Sequence, residues 1–300
     1  MTAQAPDIRN IRARRTLWEN TRRALATAPL SAWFGMVVIL IYVIAAVFAP
    51  LIAPFGEAEI VGKAYQPAGA EFWLGTDQIG RDLFSRLIYG ARNTIGIAFF
   101  TTLLSFIFGG TLGVFTALRR GWLDQILSRL VDAFLAIPVL IFALMLLAVF
   151  GKGIVNLILI LALLDSTRVY RLARATALDV VVMDYVEAAR LRGEGTGWII
   201  FREILPNILP PLITEFGLRF CFVFLTIAAL SFLGVGIQPP TADWGSMVAE
   251  SKTLITFPVA KFPWIPAPFY PAIAIALLTV AINFVVDWFL HKTSGLRDEK

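Results

Sequence analysis

The chain is poor in the residues that build catalytic and metal centres. Of its 300 residues one is cysteine, Cys221, and one is histidine, His291. A lone cysteine excludes an internal disulfide framework. Cys221 lies in an apolar run and His291 near the C-terminal end, so neither a zinc site nor a Cys–His dyad is expected; Cys221 reads as a small packing residue. Charge is also scarce, with Asp, Glu, Lys and Arg at 16% against about 25% in ordinary globular domains. A phosphate-cradling G-x-x-x-x-G-K-[ST] loop is missing. The nearest stretch, Gly56 to Gly62-Lys63-Ala64, is one residue too long between glycines and ends without a hydroxyl for magnesium. H-E-x-x-H and G-x-S-x-G arrangements are missing too. No catalytic residue, metal ligand or bound cofactor is therefore assigned. If this chain moves a solute uphill, the energy comes from a gradient or from another chain.

Apolar residues fill the space that charge leaves. They make up 58% of the chain, with 24 Phe and 8 Trp, and mean hydropathy is +0.76. Such a balance suits a protein whose solvent is largely lipid. Roughly 20 apolar residues cross the hydrocarbon as a helix, and six runs approach that length, at about 31–51, 94–118, 131–150, 154–170, 212–233 and 269–290. They are apolar all round and do not alternate, so they are helices and not barrel strands. Gly109 and Gly113 form a G-x-x-x-G in the second run, a helix-packing signal.

The first run is too long for a signal-peptide core and lacks a small-residue cleavage pattern after it, so it reads as an uncleaved span. Arg9, Arg12, Arg14, Arg15, Arg22 and Arg23 precede it. That tail reads equally as an amphipathic helix, with Ile11, Leu17, Trp18 and Leu25 against lipid, or as a mobile basic arm. With the N-terminus inside, eighteen of the 26 Lys and Arg fall in inside segments and seven outside. The positive-inside rule then puts both termini in the cytoplasm. It also explains the net charge of +5 without nucleic acid. The expected organisation is a basic cytoplasmic tail (1–30), a first span with its outer loop (31–93), a core of spans (94–290) and a cytoplasmic C-terminal tail (291–300). The core contains a long inside loop, 171–211.

Ionisable residues inside the membrane are costly and often functional. Glu215 and Arg219 lie four apart in the fifth run, and a neutralising pair is the favoured reading over a substrate contact. Asp165 lies late in the fourth run, within reach of Arg168 or Arg171. Asp132 and Asp287 are expected at interfaces. A proton relay would need several acids along one path, so a proton- or ion-coupled carrier is the distant alternative.

The inside loop carries the most informative motif. Residues 173–191 favour a helix, and Gly193, Gly195 and Gly197 permit a turn with positive φ. Residues 198–205 form a short amphipathic segment that Pro206 should end. Ala188 and Ala189 should leave a shallow face for another protein, and Glu187 a charge for a basic partner. The set Glu187-Ala188-Ala189…Gly193…Leu205-Pro206 resembles the coupling loop of ABC importer permeases, E-A-A-x-x-x-G followed by I-L-P. Two outer stretches narrow the resemblance. One contains Gly75, Asp77, Gly80, Arg81 and Asp82; the other contains Gly236, Pro239, Trp244 and Gly245. Both are similar to the second permease subunit of dipeptide, oligopeptide and nickel importers. The resemblance covers about residues 30–290. Asp165, Glu215 and Arg219 stand where the family pattern leads one to expect apolar side chains.

The resemblance implies an all-α fold of six membrane helices, of the type I ABC importer class, in the bacterial inner membrane. The implied partners are a homologous permease forming a heterodimer, two ATPase subunits, an extracytoplasmic solute-binding protein and the lipid bilayer. ATP and magnesium would be used by the ATPases and not by this chain. The implied solute is a di- or oligopeptide, with nickel, opine or another small solute as the alternative.

Overall fold

The computed structural model describes residues 26–256 and 266–293. The N-terminal basic arm, most of the Pro- and aromatic-rich loop 256–268 and the C-terminal tail lie outside the described residues. Among the described residues the chain is helical and has no β-sheet; two isolated bridges, Ile60 with Arg81 and Thr76 with Asp82, tie one outer loop.

The helices are α1 (Leu30–Val47), the short α2 (Ala49–Ile52), α3 (Leu83–Arg119), α4 (Trp122–Leu135), α5 (Val139–Phe150), α6 (Ile154–Val181), α7 (Asp184–Leu191), α8 (Thr196–Ile199), α9 (Leu205–Phe232), α10 (Trp244–Ser251), α11 (Thr253–Thr256) and α12 (Phe269–Thr293). Four of these are long and apolar enough to cross a membrane, and a fifth crossing is made if the bent pair α4–α5 counts as one. The fourth sequence run falls short for a chemical reason. The first 18 residues of α6 contain three charged side chains, Asp165, Arg168 and Arg171, and charge inside a bilayer is costly.

The long helices α3 and α6 form the spine. Ser105 Oγ donates to the Ala162 carbonyl at 3.2 Å. A Cβ on Gly109 would lie 2.3 Å from the Ser166 carbonyl, and one on Gly113 2.6 Å from that of Tyr170. The G-x-x-x-G pair thus lets the two backbones touch. The contacts advance along both helices in the same sense, so α3 and α6 are parallel. Two parallel neighbours need a return path between them, and residues 120–153 supply it.

That return path departs from the expected straight span. The third run is broken before Pro138, and α4 and α5 meet at 93°. Ala136, Ile137 and Pro138 separate them, and proline cannot continue a helix through its own amide. Arg174 clamps Asp124 of α4 through Nε (2.5 Å) and Nη2 (2.7 Å). Ser128 shares the Tyr170 hydroxyl with Thr116. Helix α4 therefore lies across one end of α6, and α5 alone runs back along the bundle.

Helix α9 runs against α3, with Ile208 and Leu212 at one end of the molecule and Ile227 and Leu230 at the other. Helix α1 runs against α12: a Cβ on Gly35 would meet the Ala281 carbonyl, while the Tyr42 hydroxyl donates to the Ala274 carbonyl at 3.3 Å. Apolar side chains such as Leu40, Ile41, Phe100, Ile141 and Ile213 face outwards, as lipid-facing surfaces require. The core divides into two clusters. One surrounds Trp244, Phe224 and Leu147; the other surrounds Val186, Ile204 and Ile208 at the opposite end.

Candidate functional site

Three groups of side chains carry the sequence motifs, and the fold places them at one end, in the middle and at the other end of the bundle.

At the Trp244 end the two outer loops pack into one platform. Asp82 starts α3, its carboxylate accepting from the Ser85 amide and hydroxyl at 2.7 Å each. Asp243 starts α10 in the same way, accepting from the Ser246 amide at 2.8 Å; such caps satisfy first-turn amides. Asp77 accepts the Arg81 and Ile79 amides at 3.0 Å. Its other oxygen meets Arg81 Nε at 2.6 Å and Arg86 Nη1 at 2.7 Å. Glu250, on α10, joins both arginines at 3.1 and 2.6 Å. Two cations and two anions thus cancel across segments far apart in sequence. Burial acts to raise the Asp77 carboxyl, but the donated amides and the two guanidiniums outweigh it and hold it below the usual carboxylate range. Burial dominates at Asp243, which is pushed up despite the Ser246 amide and the Thr94 hydroxyl.

Trp244 locks the platform to α3. Its indole donates to the Leu87 carbonyl at 2.9 Å, and its ring lies where any side chain on Gly90 would stand. Gly75 and Gly80 turn with positive φ, and Pro239 precedes a cis peptide to Pro240. Gly236 abuts Ser231 and Gly245 abuts the Ala228 carbonyl. All nine outer motif residues therefore serve this one platform. Sequence reasoning missed Glu250, Thr94 and Glu57. Glu57 accepts from Asn93 Nδ2 and the Ala242 amide at 3.0 Å each, bridging both loops. None of the three lies in a recognisable spacing; only the fold joins them.

At the opposite end the expected helical hairpin is present with altered boundaries. Helix α6 stops at Val181, Met183 turns the chain, and α7 holds Glu187, Ala188 and Ala189. Gly193 takes φ +81°, the left-handed conformation that glycine allows. Gly195 does not share it; it caps α8 in an extended conformation. Pro206 does not end the second segment. Helix α8, a wide π turn (Ile200–Ile204) and α9 form one continuous helix from Thr196 to Phe232. Pro206 sits in the first turn of α9, where a missing amide costs little. Ala189 is not on the open face either: it is fully buried with Val186, Ile199 and Ile204, while Glu187 and Ala188 are exposed. Leu205 packs on the same cluster, half-buried. On α7 Leu191 (84% exposed) and Tyr185 are exposed, whereas Phe201 (68%) lines a separate apolar cavity between α3 and α9. Beside α7 opens a cavity of about 700 Å³ lined by Arg119, Arg120, Glu187, Arg190 and Leu191 among others.

Between the ends lie the intramembrane charges. Arg219 Nε is 2.7 Å from Glu215, off the N–H direction, so the contact is ionic and not a directed hydrogen bond. Asp165 lies 3.6 Å from Arg168 and 3.8 Å from Arg219. Arg171, the other expected partner, instead faces Asp132 at 3.9 Å in an exposed pair. The three intramembrane candidates thus form a single group with Arg168, a meeting of α6 and α9 that sequence spacing does not reveal.

Comparison with known proteins fits this geometry. Residues 109–292 match the model for "binding-protein-dependent transport system inner membrane component". Residues 16–67 match the N-terminal transmembrane domain of oligopeptide transport permease C. The dipeptide transport system permease protein DppC of Alkalihalophilus pseudofirmus is 34% identical over 265 residues, covering 88% of this chain and 83% of that protein. The di/tripeptide transport system permease protein DppC of Pseudomonas aeruginosa is 36% identical over 271 residues, 88% of this chain and 85% of the relative. The glutathione transport system permease protein GsiD of Pectobacterium atrosepticum is 32% identical over 302 residues, 99% and 95% respectively. With the match spanning more than half of its length and several apolar helices to carry it across the bilayer, the chain belongs to the family of binding-protein-dependent transport system inner membrane components, as a multi-pass permease.

Proposed function

We propose that this chain is one of two homologous permease subunits of an ABC importer for peptide-type solutes, driven by ATP hydrolysis in two partner ATPases. The observation that carries the coupling role is the hairpin of α7 and α8. It exposes Leu191 and Tyr185, and Leu191 walls an open cavity of about 700 Å³ together with Glu187 and Arg190. Apolar side chains displayed together at a water-facing end are a docking surface. The hairpin is rooted inward through Val186, Ala189, Ile199 and Ile204, so a push on it reaches α6 and α9 directly. In this reading Glu187, Ala188 and Gly193 face or hinge the ATPase contact, Ala189 is its internal anchor, and Leu205 and Pro206 join it to α9.

The same reading places the hairpin and both termini in the cytoplasm and counts α6 and the bent pair among six crossings. Three charges in the first part of α6 are supported by partners: Asp165 meets Arg168 and Arg219, and Arg171 meets Asp132. The platform of Gly75–Arg86 and Gly236–Glu250 then faces the solute-binding protein. Magnesium and ATP are bound by the ATPases. Three relatives named for dipeptide, di/tripeptide and glutathione transport support a peptide-type solute.

The test uses an Ala188→Cys substitution in a Cys221→Ala background, co-expressed with the ATPases of the same operon. A thiol cross-linker should join the permease to an ATPase at Ala188→Cys, and not at a buried Ala189→Cys. An intact complex with no cross-link from position 188 would contradict the docking role.

A further inference from the structure

We propose that the cavity between α6 and α9 is a solute subsite that takes the ammonium end of a zwitterionic peptide, with Asp165 as its anionic partner; this rests on the peptide-importer reading above. The cavity measures about 260 Å³ and is walled by Asp165, Arg168, Arg219 and Thr226 with the apolar Leu161 and Val223. That volume is at or below the lower edge of small-molecule sites, so it fits one end of a peptide and not a whole one. Asp165 lies eleven residues into α6, about 17 Å along the helix at 1.5 Å per residue.

The Asp165 side chain is only 5% exposed, yet its carboxylate is short of donors. Oδ1 faces Arg168 Nη1 at 3.6 Å and Arg219 Nη1 at 3.8 Å, both beyond hydrogen-bond length. Oδ2 is buried with no hydrogen-bond partner. A buried ionised oxygen without a donor is strongly disfavoured, and a purely neutralising cluster would close these gaps. Arg219 is held elsewhere, by Glu215 at 2.7 Å and by the Phe222 ring, 4.6 Å from its guanidinium carbon. Arg168 is 39% exposed and free to reorient. Two cations and two anions leave the cluster without net charge, so it does not favour a simple anion or cation. It suits a molecule carrying both charges: an ammonium donating to Asp165 Oδ2, and a carboxylate within reach of Arg168.

The experiment uses the assembled permease pair with its ATPases in nanodiscs, without the binding protein. Radiolabelled dialanine and N-acetyl-dialanine are compared by equilibrium binding. Acetylation removes the ammonium and should weaken binding roughly tenfold or more. Asp165→Asn should weaken dialanine equally and leave the acetylated probe unchanged. Thr226→Leu, which fills the cavity and leaves the charges alone, should also reduce dialanine binding, and it serves if Asp165→Asn fails to assemble. In parallel, ATP-driven dialanine uptake is measured in proteoliposomes with the full transporter. Uptake by the wild type, with equal binding of both probes or undiminished binding by the Asp165 and Thr226 variants, overturns the subsite and leaves the importer intact. Absence of ATP-driven uptake removes the importer reading, and the subsite with it.

Discussion

The two ends of the bundle are held by different chemistry. At the Trp244 end, the Arg86–Glu250 ion pair and an indole hydrogen bond tie segments more than 150 residues apart, and two aspartates cap the helices that meet there. At the hairpin end, α7, α8 and the turn between them hold one ion pair among the described residues, Arg192 with Glu194 at 3.9 Å, and their inner side rests on small and branched apolar residues. Directional contacts fix one geometry, because each hydrogen bond is lost by a small displacement. Apolar contacts among small residues tolerate a shift of the hairpin as a unit. The contrast teaches that the first end is built to hold its shape, while the second suits the docking and movement proposed for it.

The predictions sharpen that contrast from its largest expected effect downwards. Trp244→Ala should cost about 3–5 kcal/mol, because it empties the centre of the outer cluster and removes the bond to Leu87. Thermal melting of the purified complex checks it; a change below about 1 kcal/mol would mean the platform is not anchored there. Arg86→Met should cost about 3 kcal/mol, since it leaves Asp77 and Glu250 buried with one cation between them.

Acidification separates the two ends again. The Asp77 carboxyl is held below its ordinary value. Its stabilisation is therefore fully present above the unfolded pKa of about 3.9 and is lost as pH falls through the lower folded value. Asp243, pushed up by burial, acts in the opposite sense and gains as it protonates. Arg86→Met isolates Asp77: its acid melting should begin at a higher pH than the wild type's, while melting of the hairpin, followed by hydrogen exchange, should not move.

Gly193→Val should strain one turn by about 1–2 kcal/mol, with no clash, since nothing lies within 4 Å of a Cβ there. The spans should insert normally while solute uptake uncouples from ATP hydrolysis; normal uptake would show that Gly193 is no hinge. Smallest in stability is Leu191→Ser combined with Tyr185→Ser, within about 0.5 kcal/mol at exposed positions. The ATPase should nonetheless co-purify poorly with this variant.

Periodicity and apolar length were enough to read the long helices from the sequence, because lipid demands them whatever the packing. The α4–α5 break was hidden because Pro138 stands inside an apolar run, and hydropathy does not sense direction. Pro206 misled for a related reason: proline stops a helix from its interior but starts one from the first turn, and spacing alone does not separate the two. The E-A-A-x-x-x-G pattern was legible as a local helix and glycine turn, whereas the inward aim of Ala189 depended on how α7 lies against Ile199 and Ile204. The Asp77–Arg81–Arg86–Glu250 network and the meeting of Asp165 with Arg219 are long-range products of folding, visible only once α3, α6, α9 and α10 are in place.

Co-purification from native membranes in mild detergent, with mass spectrometry of the associated chains, tests the central claim most directly. The account predicts a homologous permease and ATPase subunits in stoichiometric amounts, with the ATPases alone lost from the Leu191→Ser/Tyr185→Ser variant. A chain that emerges alone, or only with copies of itself, would contradict it.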